Sequence, residues 1–206
     1  MSFRATIAQI EALVIAVPAE GNAFAEDDEE TVLVRVTDEN GLYGIGECIT
    51  TPSVTKAMID MPTVNFWSKG IRDLLIGEDP LEAVALYDRV YHSSFYHGRR
   101  GTLIQALSGV DIALWDLAGK QLAEPVYKLL GGAVRDKIGL YCHPPEPKDP
   151  VSAAIDAKEI VASGHRAFKF DPFMRSLPKG NAWYIDGQIS KRGEEEAVEI
   201  TAAIRE

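Results

Sequence analysis

Cysteine is scarce in this chain: Cys48 and Cys142 are the only two. Thiols so few and so far apart exclude a disulfide framework and a zinc site, and they read as buried groups in a reducing compartment. Basic charge is short too, with 21 Lys and Arg against 31 Asp and Glu and a net charge of −10. That balance argues against a nucleic-acid binder, whose affinity comes from clustered cations on phosphates. Long apolar runs are missing as well, since none approaches the roughly 20 residues that a membrane span needs. The segment from Met1 to Glu20 is interrupted by Arg4, Gln9 and Glu11, so it does not read as a signal peptide. The expectation is a cytoplasmic protein with no membrane or nucleic-acid partner. What is present is ordinary globular composition, 46% hydrophobic and 25% charged over 206 residues, enough for a sizeable core in one or two domains.

The most informative stretch runs from Ala106 to Lys120 and on through Pro125-Val126-Tyr127-Lys128-Leu129-Leu130-Gly131-Gly132. It reads as a long helix with a Leu-Leu-Gly-Gly stop, and Ile138 to His143 then reads as the first strand of a new α/β unit. Upstream, Ile7 to Val17 is rich in β-branched residues, and Thr31 to Thr37 alternates Val32, Val34 and Val36 on one face, as a half-buried strand does. Asp38-Glu39-Asn40-Gly41 supplies turn chemistry, and Leu42 to Cys48 completes a three-strand antiparallel meander. The acidic segment Glu20 to Glu30 between the first two strands reads, taken alone, as a solvated loop.

Helices are expected at Val54 to Ile59, Val64 to Leu75, Leu81 to Tyr91 and Thr102 to Leu122. In the last, Leu103, Leu107, Val110, Leu114 and Leu117 recur at steps of four and three and form one apolar stripe. Thr102 with Gln105 fits a capping box. Asp111 and Asp116 fall off the stripe, which favours a polar face or a bond to a neighbouring segment over catalysis. After Gly132 the pattern becomes strand, helix, strand, helix. Asp149-Pro150 places an N-cap before a first-turn proline, Val151 to Ala162 is a short helix, and Gly164 suits a left-handed stop. Ala167 to Phe170 is a second strand ending at Asp171-Pro172, a loop spans Phe173 to Arg192, and a helix starts at Gly193. Successive βα units make these two strands parallel.

The segment from Ala106 to Lys120, the stop at Pro125 to Gly132 and the strand end Lys169-Phe170-Asp171-Pro172 together resemble the enolase superfamily, in its mandelate racemase and muconate lactonizing branch. The resemblance implies an α+β capping domain over residues 1–132, followed over 133–206 by the first βα units of an incomplete (β/α) TIM-type barrel. A full barrel takes about 250 residues, so none can close in this span. The family holds an essential Mg2+ on carboxylates at the ends of the third, fourth and fifth barrel strands. The resemblance therefore puts the metal ligands downstream of residue 206 and none in this sequence. Glu194, Glu195 and Glu196 read as a charge cluster at a helix start.

The chemistry implied by the family is abstraction of the proton α to a carboxylate, with the enediolate stabilised by the cation. Lys169 and Asp171 are the local catalytic candidates, because strand residues two apart share a face and would look into the barrel mouth. The family often carries Lys-x-Lys here with the second lysine as base. Lys-x-Asp departs from that pattern and argues against a close relative of mandelate racemase. A structural ion pair between the two is the alternative role. His143, ending the first strand, is a candidate substrate contact or a polar rim residue, and His92, His97 and His165 have weaker claims. By position, the cap loops at Glu20 to Glu30 and Cys48 to Ser53 correspond to those that set specificity in the family. They offer Asn22, Thr50 and Thr51 as partners for a polyhydroxy substrate.

The resulting expectation is an acid-sugar dehydratase, a hydro-lyase acting on a small carboxylate, in a protein that self-associates as family members do. The alternatives are a racemase, epimerase or cycloisomerase on the same scaffold, or a non-catalytic fragment or binding module without the metal site.

Overall fold

The computed structural model describes residues 5–17, 29–98, 100–144, 149–170, 172, 184–185 and 188–205. The chain divides into two compact units, Met1–Val134 and Arg135–Glu206.

The first unit is built on a three-stranded antiparallel sheet, β1 (Ile7–Val17), β2 (Glu29–Asp38) and β3 (Tyr43–Cys48), in that spatial order. The period-2 pattern sends Ile10, Ala12, Val32, Val34 and Val36 into the core. The other face keeps a polar pair, with Arg35 donating to Glu11 at 2.6 Å. At the β2–β3 turn, Asp38 Oδ1 accepts from the backbone N–H groups of Asn40 (2.9 Å) and Leu42 (3.0 Å), while Gly41 takes φ +82°. The same carboxylate accepts from Gln121 Nε2 at 2.8 Å, which satisfies a buried charged side chain and ties the turn to the long helix.

Helices cover the buried face: α1 (Pro52–Asp60), α2 (Ile71–Leu75), α3 (Ala83–Ser93) after a 3₁₀ turn at Pro80–Glu82, α4 (Thr102–Leu122) and the short α5 (Val126–Leu129). The α4 stripe is buried throughout, from Leu103 to Leu117. This helix lies unusually close to β3. A Cβ built on Gly44 would stand 2.0 Å from the carbonyl oxygen of Ala113, and one on Gly46 would stand 2.0 Å from that of Gly109. Glycine is the only residue that allows both approaches.

Because β3 is an edge strand, its outward backbone groups need partners. Helix α4 supplies them: Asp116 Oδ2 accepts from the Ile45 N–H at 2.8 Å, and Lys120 Nζ donates to the Tyr43 carbonyl at 2.8 Å and to Asp116 at 2.7 Å. At the opposite edge, Lys56 Nζ donates to the Ala12 carbonyl at 2.9 Å. Asp116 is thus a bond to a neighbouring segment, as its place off the stripe suggests.

Three local expectations are revised. Residues 64–70 are not helical. Val64 N–H donates to the Ser68 carbonyl (2.9 Å), Ser68 N–H donates to that of Asn65 (3.1 Å), and the Asn65 side chain accepts from the Trp67 N–H (2.9 Å). An Asn side chain that bonds its own backbone two residues on competes with the helix. The Thr102–Gln105 capping box does not form either, since Gly101 takes the N-cap and no side chain caps the helix. Gln105 instead accepts a hydrogen bond from Thr50. Helix α5, Val126–Leu129, occupies half of what reads as a stop signal.

In the second unit, α6 (Pro150–Ala162) packs on α7 (Lys191–Arg205) through buried Ala153, Ala157, Ala197 and Ile200. The N-cap of α6 is Asp149, with Pro150 first in the helix and Ser152 completing a capping box; Gly164 follows its end at φ +95°. The two expected strands meet in one parallel bridge, Cys142 with Phe168. Ile138, Leu140 and Tyr141 are exposed, so this apolar run gains no burial that would extend the pairing. Within the expected 173–192 loop, Tyr184–Ile185 (β4) and Gln188–Ile189 (β5) form an antiparallel pair, and α7 starts at Lys191 instead of Gly193.

Candidate active-site residues and their family

Two sets of candidate residues lie in different units. In the first unit the sheet register decides which loops meet. Val17 pairs with Glu29 and Val32 with Cys48, so the chain leaves β1 and β3 at the same end of the sheet. The two connections singled out as specificity loops therefore originate side by side. Antiparallel packing of α4 on β3 brings its first turn to this end as well. Thr50 Oγ1 donates to Gln105 Oε1 at 2.8 Å, which fixes the Thr50 hydroxyl proton and leaves its oxygen as an acceptor. Thr51 is the N-cap residue of α1 and is exposed; its side chain makes no cap bond, while its carbonyl accepts from the Thr55 N–H at 3.0 Å. Asn22 lies outside the described residues.

In the second unit the Cys142–Phe168 bridge and the bond from the Lys169 N–H to the Cys142 carbonyl (2.9 Å) set the register. His143 and Lys169 are the next residues on the two segments, both exposed. Phe168 and Phe170 share a face, with ring centroids 5.8 Å apart, so alternation directs Lys169 to the opposite face. The register thus brings together a histidine and a lysine at the carboxyl ends of parallel segments. Asp171 lies outside the described residues.

The remaining histidines have local partners: His92 Nδ1 with the Asp88 carbonyl (3.0 Å), His97 Nε2 with Ser68 Oγ (3.3 Å) and His165 Nδ1 with Ser163 Oγ (3.0 Å). Glu195 and Glu196 pair with Lys191 (3.7 Å) and Arg192 (3.0 Å) one turn earlier on α7, as a helix-surface charge cluster does. Among the described residues no group of three or more His, Cys, Asp or Glu side chains could hold a metal ion, so these residues do not fit a Mg2+ site. Nor, among them, is any helix long and apolar enough to cross a membrane.

Among the described residues four groups have clearly displaced proton affinities: hydrogen bonds with Thr63 lower the Asp73 carboxyl, and the hydrogen bond to Glu78 raises the Arg89 guanidinium. Burial raises the Asp111 carboxyl, partly offset by a hydrogen bond from Trp115. Burial likewise raises the Cys48 thiol. Asp111 lies on α4 itself, and Cys48 packs against that helix at Ala106 and Gly109. Sequence reading missed Gln105 as a partner of the Thr50 loop, because the Thr-x-x-Gln spacing also fits a cap. The signal available was Gly101, whose φ of +73° suits the chain entry better than a threonine.

Comparison with known proteins bears on the whole chain. The N-terminal domain profile of the mandelate racemase / muconate lactonizing enzyme family matches residues 6–131. A D-gluconate dehydratase of Thermoproteus tenax is 34% identical over 204 residues, covering 98% of this chain and 38% of the relative. A D-gluconate/D-galactonate dehydratase of Picrophilus torridus is 35% identical over 179 residues, covering 84% and 41%. The crystal structure of a mandelate racemase/muconate lactonizing enzyme-like protein from Rubrobacter xylanophilus superposes with a TM-score of 0.75 at 28% identity, over 98% of this chain and 50% of that one. The chain spans about two fifths of the length of these curated relatives. A meander under a closely packed helix and the profile match over residues 6–131 agree: this chain belongs to the mandelate racemase/muconate lactonizing enzyme family of the enolase superfamily and carries that family's N-terminal domain.

Proposed function

We propose that this chain forms the specificity cap and the first two βα units of an acid-sugar dehydratase. The observation that carries the reading is the 34% identity to a D-gluconate dehydratase along 98% of the chain. The substrate is a small polyhydroxy carboxylate. Its Cα–H bond breaks and the proton passes to a base; the electron pair forms the enediolate; the Cβ–O bond then breaks and the hydroxyl leaves with a proton as water. The resulting enol tautomerises to a 2-keto-3-deoxy acid, so one sugar acid gives one keto acid and one water.

This chain's own residues take supporting roles. Lys169 places an ammonium where negative charge grows on the substrate carboxylate, and it lies beside His143, which binds a substrate hydroxyl. Asp171, two residues on, pairs with Lys169 or binds hydroxyl groups. Asn22, Thr50 and Thr51 contribute hydrogen bonds from the cap loops, which exclude water when closed. Mg2+ supplies Lewis acidity in enolase-superfamily sites; no cluster among the described residues would hold it, and the ligands this reading assigns to it are carboxylates downstream of residue 206. The protein is cytoplasmic and assembles as a homo-oligomer, with residues 1–132 as cap and 133–206 as the start of the barrel.

The test is to supply D-gluconate and D-galactonate to the polypeptide that carries these residues and to follow 2-keto-3-deoxy acid. Release of that product, with kcat lowered about 100-fold by Lys169→Met, supports the proposal; one electrostatic donor to a developing anion contributes on this order. Deuterium entry at the α-carbon without loss of water would replace it with a racemase or epimerase, and saturable binding without any exchange would replace it with a binding module.

A further inference from the structure

The segment that departs from helix, residues 64–70, carries an exposed aromatic cluster on the first unit. Trp67 is 53% exposed and Tyr96 is 65% exposed. Trp67 meets Phe66 edge-on at 4.8 Å and Phe95 edge-on at 5.8 Å, and Phe95 lies 4.5 Å from Tyr96. The backbone beneath is pinned by the Asn65–Ser68 bridge and by the Asn65 side chain. A ring held from two sides keeps its place when a ligand arrives, so little ordering entropy opposes binding.

Trp67 and Tyr96 line a cavity of about 440 Å³ together with Asn65, Ser68 and His97. That volume is in the range of small-molecule sites. The lining is unusual in kind. Among the described residues it has two aromatic rings and three hydrogen-bonding side chains, with no aliphatic residue and no Asp, Glu, Lys or Arg. Trp and Tyr are common in contacts between proteins as well, so it is the amide, hydroxyl and imidazole beside the rings that favour a polyhydroxy ligand; a site for phosphate or carboxylate would carry a cation. Ser68 Oγ and His97 Nε2 are already 3.3 Å apart, so a hydroxyl and an imidazole sit together on the rim.

We propose that this cavity binds a neutral saccharide. The negative π-face of the indole attracts the polarised C–H face of a pyranose ring. The equatorial hydroxyl groups then reach the amide of Asn65, the hydroxyl of Ser68 and the imidazole of His97, each able to donate or accept. The cavity lies within the first unit, and the proposal does not depend on the acid-sugar reading; an uncharged sugar is expected here, because among the described residues no lining cation selects a carboxylate.

The test uses the whole chain with methyl α-glucopyranoside, maltose and D-gluconate as probes, read by saturation-transfer NMR on the sugar protons and by tryptophan fluorescence. Saturable, millimolar binding of the neutral sugars is expected, with D-gluconate weaker. Trp67→Ala should weaken it about tenfold, as loss of one stacking face does. Because Trp67→Ala also removes ring contacts, Ser68→Ala serves as a second variant: a smaller loss of affinity, with an unchanged circular dichroism spectrum and melting temperature, is expected. No saturation by either neutral sugar, tighter binding of D-gluconate, or binding indifferent to both variants would overturn the proposal. So would concentration-dependent self-association abolished by Trp67→Ala, which would make the patch a contact between copies.

Discussion

The contact between α4 and β3 leaves no room at Gly109, and a pair of substitutions tests this directly. A Cβ at Gly109 would lie 2.2 Å from Cys48 Sγ and 3.0 Å from Val34 Cγ2. The sulfur is buried and points at the Ala106 carbonyl, 3.9 Å away, so it has little space into which to rotate. Gly109→Ala alone should therefore cost about 1–3 kcal/mol of overpacking, reduced by up to about 1 kcal/mol of better helix propensity. Cys48→Ala alone removes one buried heavy atom and should cost about 1 kcal/mol. In the double variant the new methyl group occupies the space that the sulfur vacates. Its loss should be smaller than that of either single change summed, by at least about 1 kcal/mol, a coupling well above the scatter of independent sites. Urea unfolding followed by far-UV circular dichroism, with all four proteins at equal concentration, gives the cycle. Additivity within about 0.5 kcal/mol would refute the reasoning, since it would mean that the helix and strand are free to separate.

Two further outcomes follow from α4. Asp116→Ala removes the acceptor of the Ile45 N–H and should speed amide exchange at Ile45 selectively, with a loss of about 1 kcal/mol for a half-exposed bond; unchanged exchange at Ile45 would contradict the edge-covering role. The Asp111 carboxyl is raised by burial, so the folded state holds its proton more tightly than the unfolded chain. That contribution is fully present below the ordinary carboxylate value and is lost as pH rises through the raised value. Asp111→Asn should accordingly be more stable than the parent at neutral pH, with the advantage vanishing in acid; thermal melts across that range check the sign.

Much of the first unit was legible from local pattern alone. The valines of β2 alternate, the Asp-Glu-Asn-Gly turn can be read directly, and the α4 stripe repeats at the helical period over its whole length. These signals are strong because each depends on neighbours within a few residues. Misreadings came where two local rules compete. Val64 to Leu75 has enough apolar residues for a helix, yet Asn65 bonds its own backbone and opens the segment that forms the aromatic cavity. Thr102 and Gln105 have capping-box spacing, yet Gly101 takes the cap and Gln105 turns to Thr50, 55 residues away in sequence. For the candidate site, the pattern placed Lys169 and His143 at strand ends, and only pairing could set them side by side.

The sequence by itself determined the alternation of strands, the apolar stripe of α4, the Asp149 cap and the family signature, because each is written in the order of adjacent residues. The tertiary structure alone decided that Asp116 and Lys120 close the β3 edge, that Gly44, Gly46 and Gly109 are required by a close helix crossing, and that Trp67 and Tyr96 share a cavity with His97. Those outcomes depend on contacts between segments far apart in the chain, whose distances no local period encodes.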